Sequence, residues 1–274
     1  MSKILVIPDV HGRSFWKIPC EDISKYDKVV FLGDYVDPYN HEGINTPTAI
    51  QGLKDIIEFT KNNREKVILL LGNHDMPYFD LDYKNLSFYH SRYSSQYHNE
   101  IEDVFRADKD LFQIAYSFDD ILFTHAGCNW IWIDLNFGGD MHARYKIENI
   151  PDFAVALNGL LESKEGLKKL FRIGEERGGR DKAASCIWCD VSEMTWTFDA
   201  LDNPDFHKRD IFNFKQVFGH TGQMFYSIKT PGEIEFGNYI EIKYPHTDET
   251  RCYMLDNAKA YELDTETFTV QALS

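Results

Sequence analysis

Five short clusters of Asp, Asn and His, each set beside glycine after an apolar run, are the residues of this chain whose types and spacing could do chemistry. The first is Asp9-Val10-His11-Gly12, which follows Ile4-Leu5-Val6-Ile7 and Pro8. The apolar, β-branched run reads as a buried strand. Pro8 has no ladder donor and closes it. Alternation along an extended chain puts Asp9 and His11 on one side, two residues apart. A hard carboxylate oxygen and a borderline imidazole converging on one point suit Zn, Mn or Fe better than Ca or Mg alone. Gly12 lets the backbone turn just beyond them. Alone, Asp-x-His also reads as a polar strand end entering a loop. The recurrence argues otherwise. Gly33-Asp34-Tyr35-Val36-Asp37, Gly72-Asn73-His74-Asp75, His125-Ala126-Gly127 and Gly219-His220-Thr221-Gly222 all follow apolar runs in the same way. Open α/β sheets bind ligands beyond the carboxyl ends of their strands. Five loops are therefore expected to aim ligand-type side chains at one crevice.

The elements that must position these loops are legible in outline. Lys28-Val29-Val30-Phe31-Leu32 and Val67-Ile68-Leu69-Leu70-Leu71 read as the second and third buried strands. Between them Thr46 is expected to cap a helix with Pro47 at its first position, and Ile50, Leu53, Ile56 and Ile57 line one face of it. A helix is expected at about Ser95 to Arg106. A hairpin is expected from Phe112 to Ser117 and Ile121 to Thr124, around Phe118-Asp119-Asp120. Two helices follow, Pro151 to Glu162 and Glu165 to Ile173. The tail from Tyr239 to Val270 alternates like antiparallel strands. An early β-α-β pattern followed by further strands indicates an α/β fold with mixed sheets.

Composition narrows the function classes. The chain has 274 residues, 43% hydrophobic and 27% charged, an ordinary globular balance. Its net charge of −15 argues against an extended nucleic-acid groove and against adhesion to anionic membranes. It leaves anionic substrates open, because bound metal ions reverse the field locally. No signal peptide and no bilayer-spanning run is seen. The five scattered cysteines, Cys20, Cys128, Cys186, Cys189 and Cys252, read as reduced cytoplasmic thiols. The Cys186-Ile187-Trp188-Cys189 spacing lacks a second pair for zinc.

In order, Asp9-x-His11-Gly12, Gly33-Asp34-x-x-Asp37, Gly72-Asn73-His74-Asp75, Thr124-His125-Ala126-Gly127 and Gly219-His220-Thr221 resemble the motifs of the calcineurin-like metallophosphoesterases. The phosphoprotein phosphatase branch and the symmetrical diadenosine tetraphosphatases are the most similar. The segment Cys186 to Asp190 loosely resembles a Leu-Trp-x-Asp segment of the former, and Cys252 to Thr265 resembles its closing strands. The resemblance implies a four-layer α/β sandwich of two mixed β-sheets flanked by helices. It implies a single domain over 1–274, with a helical cap or specificity insertion at about 129–214. It implies two divalent or trivalent metal ions, Mn, Fe or Zn. Asp9 and His11 would hold the first, Asp34 would bridge, and Asn73, His125 and His220 would complete the second. A metal-bridging hydroxide would attack a phosphomonoester, with His74 as general acid paired to Asp37. Asp75 reads as a hydrogen-bonding support. His90, His98, His142, His207 and His246 fall outside the motifs and read as ordinary histidines.

The departures from that pattern matter. The phosphoprotein phosphatases follow their second motif with Arg-Gly, and that arginine clamps phosphate. Here Pro38-Tyr39 stands instead. Arg13, Arg177 and Arg180 are the candidates to replace the missing guanidinium. Asp75 and Ala126 match the diadenosine tetraphosphatases, and Gly222 stands where distant phosphodiesterases place a second histidine. The expected substrate is a phosphomonoester, with phosphoserine and phosphothreonine in proteins as one candidate class. The alternative is a dinucleoside polyphosphate or another nucleotide, with the aromatics between Tyr78 and Tyr97 as a base platform. A metal-binding scaffold without turnover is a third reading, and no lost ligand position favours it.

Overall fold

The computed structural model describes residues 2–80, 92–138, 147–194, 214–222, 234–236, 239–243 and 249–273. The described chain forms two compact units, residues 1–113 with 257–274, and residues 114–256.

The first unit is built on three apolar strands, β1 (Lys3–Ile7), β2 (Lys28–Phe31) and β3 (Val67–Leu70). They run parallel, with Leu5 opposite Val29 and Val29 opposite Val67. Ile4 to Ile7, Val29, Val30, Phe31, Leu69 and Leu70 are fully buried, as a parallel strand covered on both faces requires. The short strand β4 (Phe112–Gln113) extends the sheet beside β3. Of the chain's last strands, β11 (Tyr261–Asp264) pairs antiparallel with β1, and β12 (Thr269–Ala272) pairs antiparallel with β11 at the edge. The crossover helix Thr46–Asn62 buries Ile50, Leu53, Ile56 and Ile57, as its periodicity predicts. Its cap differs from the expectation. Asn45 holds the extended backbone and accepts from the Thr48 amide. Thr46 is already helical, and Pro47 sits one place further in. Asn caps as well as Thr does and precedes it in the chain.

The second unit holds the other mixed sheet, ordered β5-β6-β7-β10-β9-β8. Here β5 (Ala115–Phe118) and β6 (Ile121–Thr124) form the expected hairpin, with Asp119 left-handed at its turn. The expected start at Phe112 is corrected: Phe112 and Gln113 pair with β3, and the chain changes sheet at Ile114. Asn158 makes the corner, its side chain accepting from the amides of Ile114 and Ala115. Strand β7 (Lys215–Phe218) lies parallel to both β6 and β10 (Thr250–Met254). Strands β8 (Ile234–Phe236) and β9 (Ile240–Lys243) complete the sheet. Helices Ile150–Asn158 and Lys164–Leu170 stand within a few residues of their predicted bounds. The fold is thus α/β, with two mixed sheets and helices covering them. Most of the aromatic stretch after Phe79, and His90, His142, His207 and His246, lie outside the described residues.

Candidate metal centre

In the first unit the loops after β1, β2 and β3 meet. Strand β1 ends at Ile7, so strand alternation does not set Asp9 and His11. The turn does, with His11 at φ 45° and Gly12 at φ 77°. Asp34 (φ 54°) and Asp37 (φ 56°) also hold left-handed backbone. Such conformations in non-glycine residues concentrate at functional sites, where the surroundings must over-determine them. The constraints are visible. The Asp75 carboxylate accepts backbone N–H groups from Asp34 at 2.7 Å, Tyr35 at 2.9 Å and Gly72 at 2.9 Å. The His11 amide donates to the Asp34 carbonyl and the Gly12 amide to that of Tyr35. The loops press together so closely that a Cβ at Gly72 would collide with the Asp34 carboxylate, and one at Gly33 with the Gly72 backbone.

Ligand-type atoms of His11, Asp34 and His74 come within 4.8 Å of one another, all buried. Asp9, two residues beyond β1, is 1% exposed and does not belong to that group; Asn73 is 2% exposed beside His74. His11 Nδ1 faces the Val36 carbonyl at 2.9 Å, and its Nε2 lies 3.5 Å from Asp34 Oδ2. Burial, helped by nearby His74 and Arg92, holds the His11 imidazole well below its ordinary value. It is therefore neutral, the form that donates a lone pair to a metal. The Asp34 carboxylate accepts the His74 amide at 2.9 Å, so the third motif orients it directly.

His74 and Asp37 pair, Nδ1 to Oδ2, at 3.0 Å. Tyr78 donates its hydroxyl to the other Asp37 oxygen at 2.6 Å, and Ser94 donates its amide to Tyr78. Burial pushes the Asp37 carboxyl up to about 7, against the pull of Tyr78 and Arg92. With Nδ1 engaged, Nε2 is the atom from which His74 can deliver a proton.

In the second unit the loops after β6 and β7 carry His125 and His220, whose Nε2 and Nδ1 approach to 3.1 Å. His125 is fully buried, and His220 is left-handed at φ 72°. The Gly219 amide donates to the His125 carbonyl, and the Ala126 amide to that of Cys186. The Cys186 to Asp190 segment thus supports the histidine loops, with Trp188 edge-on to His220 at 6.0 Å. Its cysteines are buried thiols, and burial raises that of Cys189 well above its ordinary value. A reactive thiol needs the opposite shift.

The three candidate arginines fall in different places. Arg13 forks onto Glu42 with Nε and Nη2 at 2.8 and 2.7 Å, and its Nη1 reaches the Asp9 carbonyl. Arg177 pairs with Asp190 at 2.9 Å and donates to Thr221 Oγ1 at 2.7 Å, beside His220. Arg180 is exposed. Arg92, which the motifs do not touch, stands closest to the acid pair. Its Nε donates to the Asp37 carbonyl at 3.1 Å, and its Nη2 is 3.2 Å from both ring nitrogens of His11. No local sequence pattern marks it.

Buried imidazoles, a carboxylate held by an amide, and a His–Asp pair at the ends of apolar strands fit bound metal ions and proton delivery, the equipment of a metal-dependent phosphoester hydrolase. The chain belongs to the calcineurin-like phosphoesterase family, whose model matches residues 2–224. That family depends on a dinuclear metal centre, and the protein is a phosphoester hydrolase. No curated protein matches the sequence significantly. A crystal structure provisionally assigned as a diadenosine tetraphosphatase is similar at 14% identity and a TM-score of 0.42, over 99% of this chain and 93% of that one.

Proposed function

We propose that the protein hydrolyses phosphomonoesters, phosphoserine and phosphothreonine in proteins foremost, with His74 as general acid. The observation that carries this reading is the His74–Asp37 pair, set beside the His11 and Asp34 ligand atoms. Asp9, His11 and Asp34 would hold one ion, and Asn73, His125 and His220, with Asp34, the other. Mn, Fe and Zn all suit this set of oxygen and imidazole donors. Such ions supply an acidified water as nucleophile and positive charge against the phosphoryl oxygens. The remaining steps belong to the side chains. Asp37 fixes the His74 ring through Nδ1 and stabilises the imidazolium, so that Nε2 protonates a poor alkoxide leaving group. Tyr78 keeps Asp37 from rotating, and the burial of Asp37 keeps water from the pair.

The same reading makes the chain one catalytic domain, with residues 129–214 as its specificity wall. It places the protein in the cytoplasm, where five unpaired buried cysteines are expected. Among the described residues no helix is long and apolar enough to cross a membrane. Assay of the Mn-loaded protein against a phosphopeptide set and diadenosine tetraphosphate tests the substrate class. Faster turnover of phosphopeptides supports the reading. Preference for the dinucleotide replaces it with the dinucleoside polyphosphate alternative, to which Asp75, Ala126 and the absent arginine after Asp37 point.

A further inference from the structure

Arg92 is an exposed cation held in place from three sides. Its Nε donates to the carbonyl of Asp37, 55 residues earlier in the chain, its Nη2 lies against the His11 ring, and its guanidinium carbon stacks 3.6 Å from the centre of the Tyr39 ring. None of these partners is a carboxylate side chain, and among the described residues Arg92 makes no ion pair. Arg13, on the same tyrosine ring at 5.1 Å, has its fork filled by Glu42, and Arg177 is neutralised by Asp190. A guanidinium is charged at every working pH and carries five donors in a fixed plane. Holding one against the neutral imidazole of a candidate metal ligand would set its charge beside that of a metal ion bound there. That arrangement is stabilised when an anion bridges the two.

We propose that Arg92, mounted on the face of Tyr39, is the guanidinium that grips the phosphoryl group of the substrate, in place of the arginine that Pro38-Tyr39 displaces. The inference rests on the phosphoesterase reading above and names a substrate-binding residue for it. Tyr39 gives the arrangement its logic. Where the resemblance places Arg-Gly this chain has Pro38-Tyr39, and the aromatic face one place beyond the missing arginine holds a distant guanidinium by stacking. The carbonyl of Asp37 fixes the fork beside the residue that orients the general acid. Grip on the phosphoryl oxygens and delivery of the proton are thus set by one short segment. A planar fork recognises two oxygens at once, which a terminal phosphoryl group offers.

The test uses the full chain, metal-loaded, as wild type, Arg92→Ala, Arg92→Lys and Tyr39→Leu. Bound metal, thermal midpoint, kinetics with p-nitrophenyl phosphate and calorimetric titration with inorganic phosphate are read for each. Loss of hydrogen bonds to a charged group predicts that Arg92→Ala raises KM and the phosphate dissociation constant roughly 10- to 100-fold, with metal content unchanged. Arg92→Lys restores part of the affinity, because a point charge cannot fork. Tyr39→Leu weakens phosphate in the same direction by a smaller factor, and it tests the idea even if Arg92→Ala does not fold. Phosphate affinity within about twofold of wild type in a folded, metal-replete Arg92→Ala overturns the proposal and leaves the phosphoesterase reading standing. Loss of metal from that variant overturns it too, since Arg92 would then serve His11. A wild type that hydrolyses no phosphoester and binds no phosphate defeats both.

Discussion

His74 and Asp75 are neighbours with opposite tasks. His74 faces Asp37 and is offered as the proton donor; Asp75 turns inward and accepts three backbone amides. Substitution separates them. His74→Asn is expected to lower kcat by roughly 10²–10⁴, the scale of general acid catalysis, while metal content by elemental analysis stays at the wild-type value. Loss of metal from that variant would make His74 a ligand instead. Asp75→Ala strips the acceptor from three buried N–H groups and is expected to cost on the order of 3–5 kcal/mol in urea denaturation. A change under about 1 kcal/mol would show that the loops hold without it. Asp75 was legible as a support from its place in the third motif. Arg92 was not legible at all, because Asp37 lies 55 residues away and His11 81, and no periodicity runs between them.

At the scale of elements, the apolar runs gave β1, β2 and β3 close to their observed limits, because strands buried on both faces need little beyond continuous hydrophobicity. The boundaries were less readable. Thr46 and Asn45 both can cap, and only the backbone decides. Phe112 to Ser117 looks like one strand, yet the chain leaves one sheet for the other at Ile114. Asp9 and His11 share a motif through a left-handed turn rather than through pleat alternation. The glycines of the second and third motifs have an exact physical demand on them: Gly72 faces the Asp34 carboxylate without room for a methyl group. Gly72→Ala is therefore expected to cost about 1–3 kcal/mol as overpacking and to reduce bound metal, measured on the purified variant. Unchanged stability and metal content would mean that the loops can part without consequence.

For the molecule as a whole, pH reaches stability through buried acids whose carboxyls are raised, Asp37 in the first unit and Glu193 in the second. Glu193 is fully buried; it takes the Ala184 amide at 2.7 Å, and burial raises its carboxyl from 4.5 to about 7. The folded state therefore keeps a proton that the unfolded chain releases near 4.5. Its contribution to stability is fully present below that value and is lost as pH rises through about 7. Urea denaturation at pH 5 and pH 8 is expected to show a fall that Glu193→Gln reduces by about 1–3 kcal/mol. An identical pH dependence in the variant would remove Glu193 from the account. The α/β class and the placement of the motif loops at strand ends were legible in sequence, because continuous apolar runs closed by glycine and polar residues mark buried strands. The shape of the region after Asn129 was not, since nothing in its pattern fixes long-range packing.

The central claim is that the strand-end loops hold two metal ions for phosphoester hydrolysis. The most direct measurement is metal stoichiometry and p-nitrophenyl phosphate turnover on one preparation of wild type and Asp34→Asn, before and after chelation and Mn repletion. The account predicts two ions per wild-type chain, turnover lost on chelation and restored by Mn, and both metal content and turnover reduced in Asp34→Asn. Turnover indifferent to chelation, or full metal content in Asp34→Asn, would contradict it.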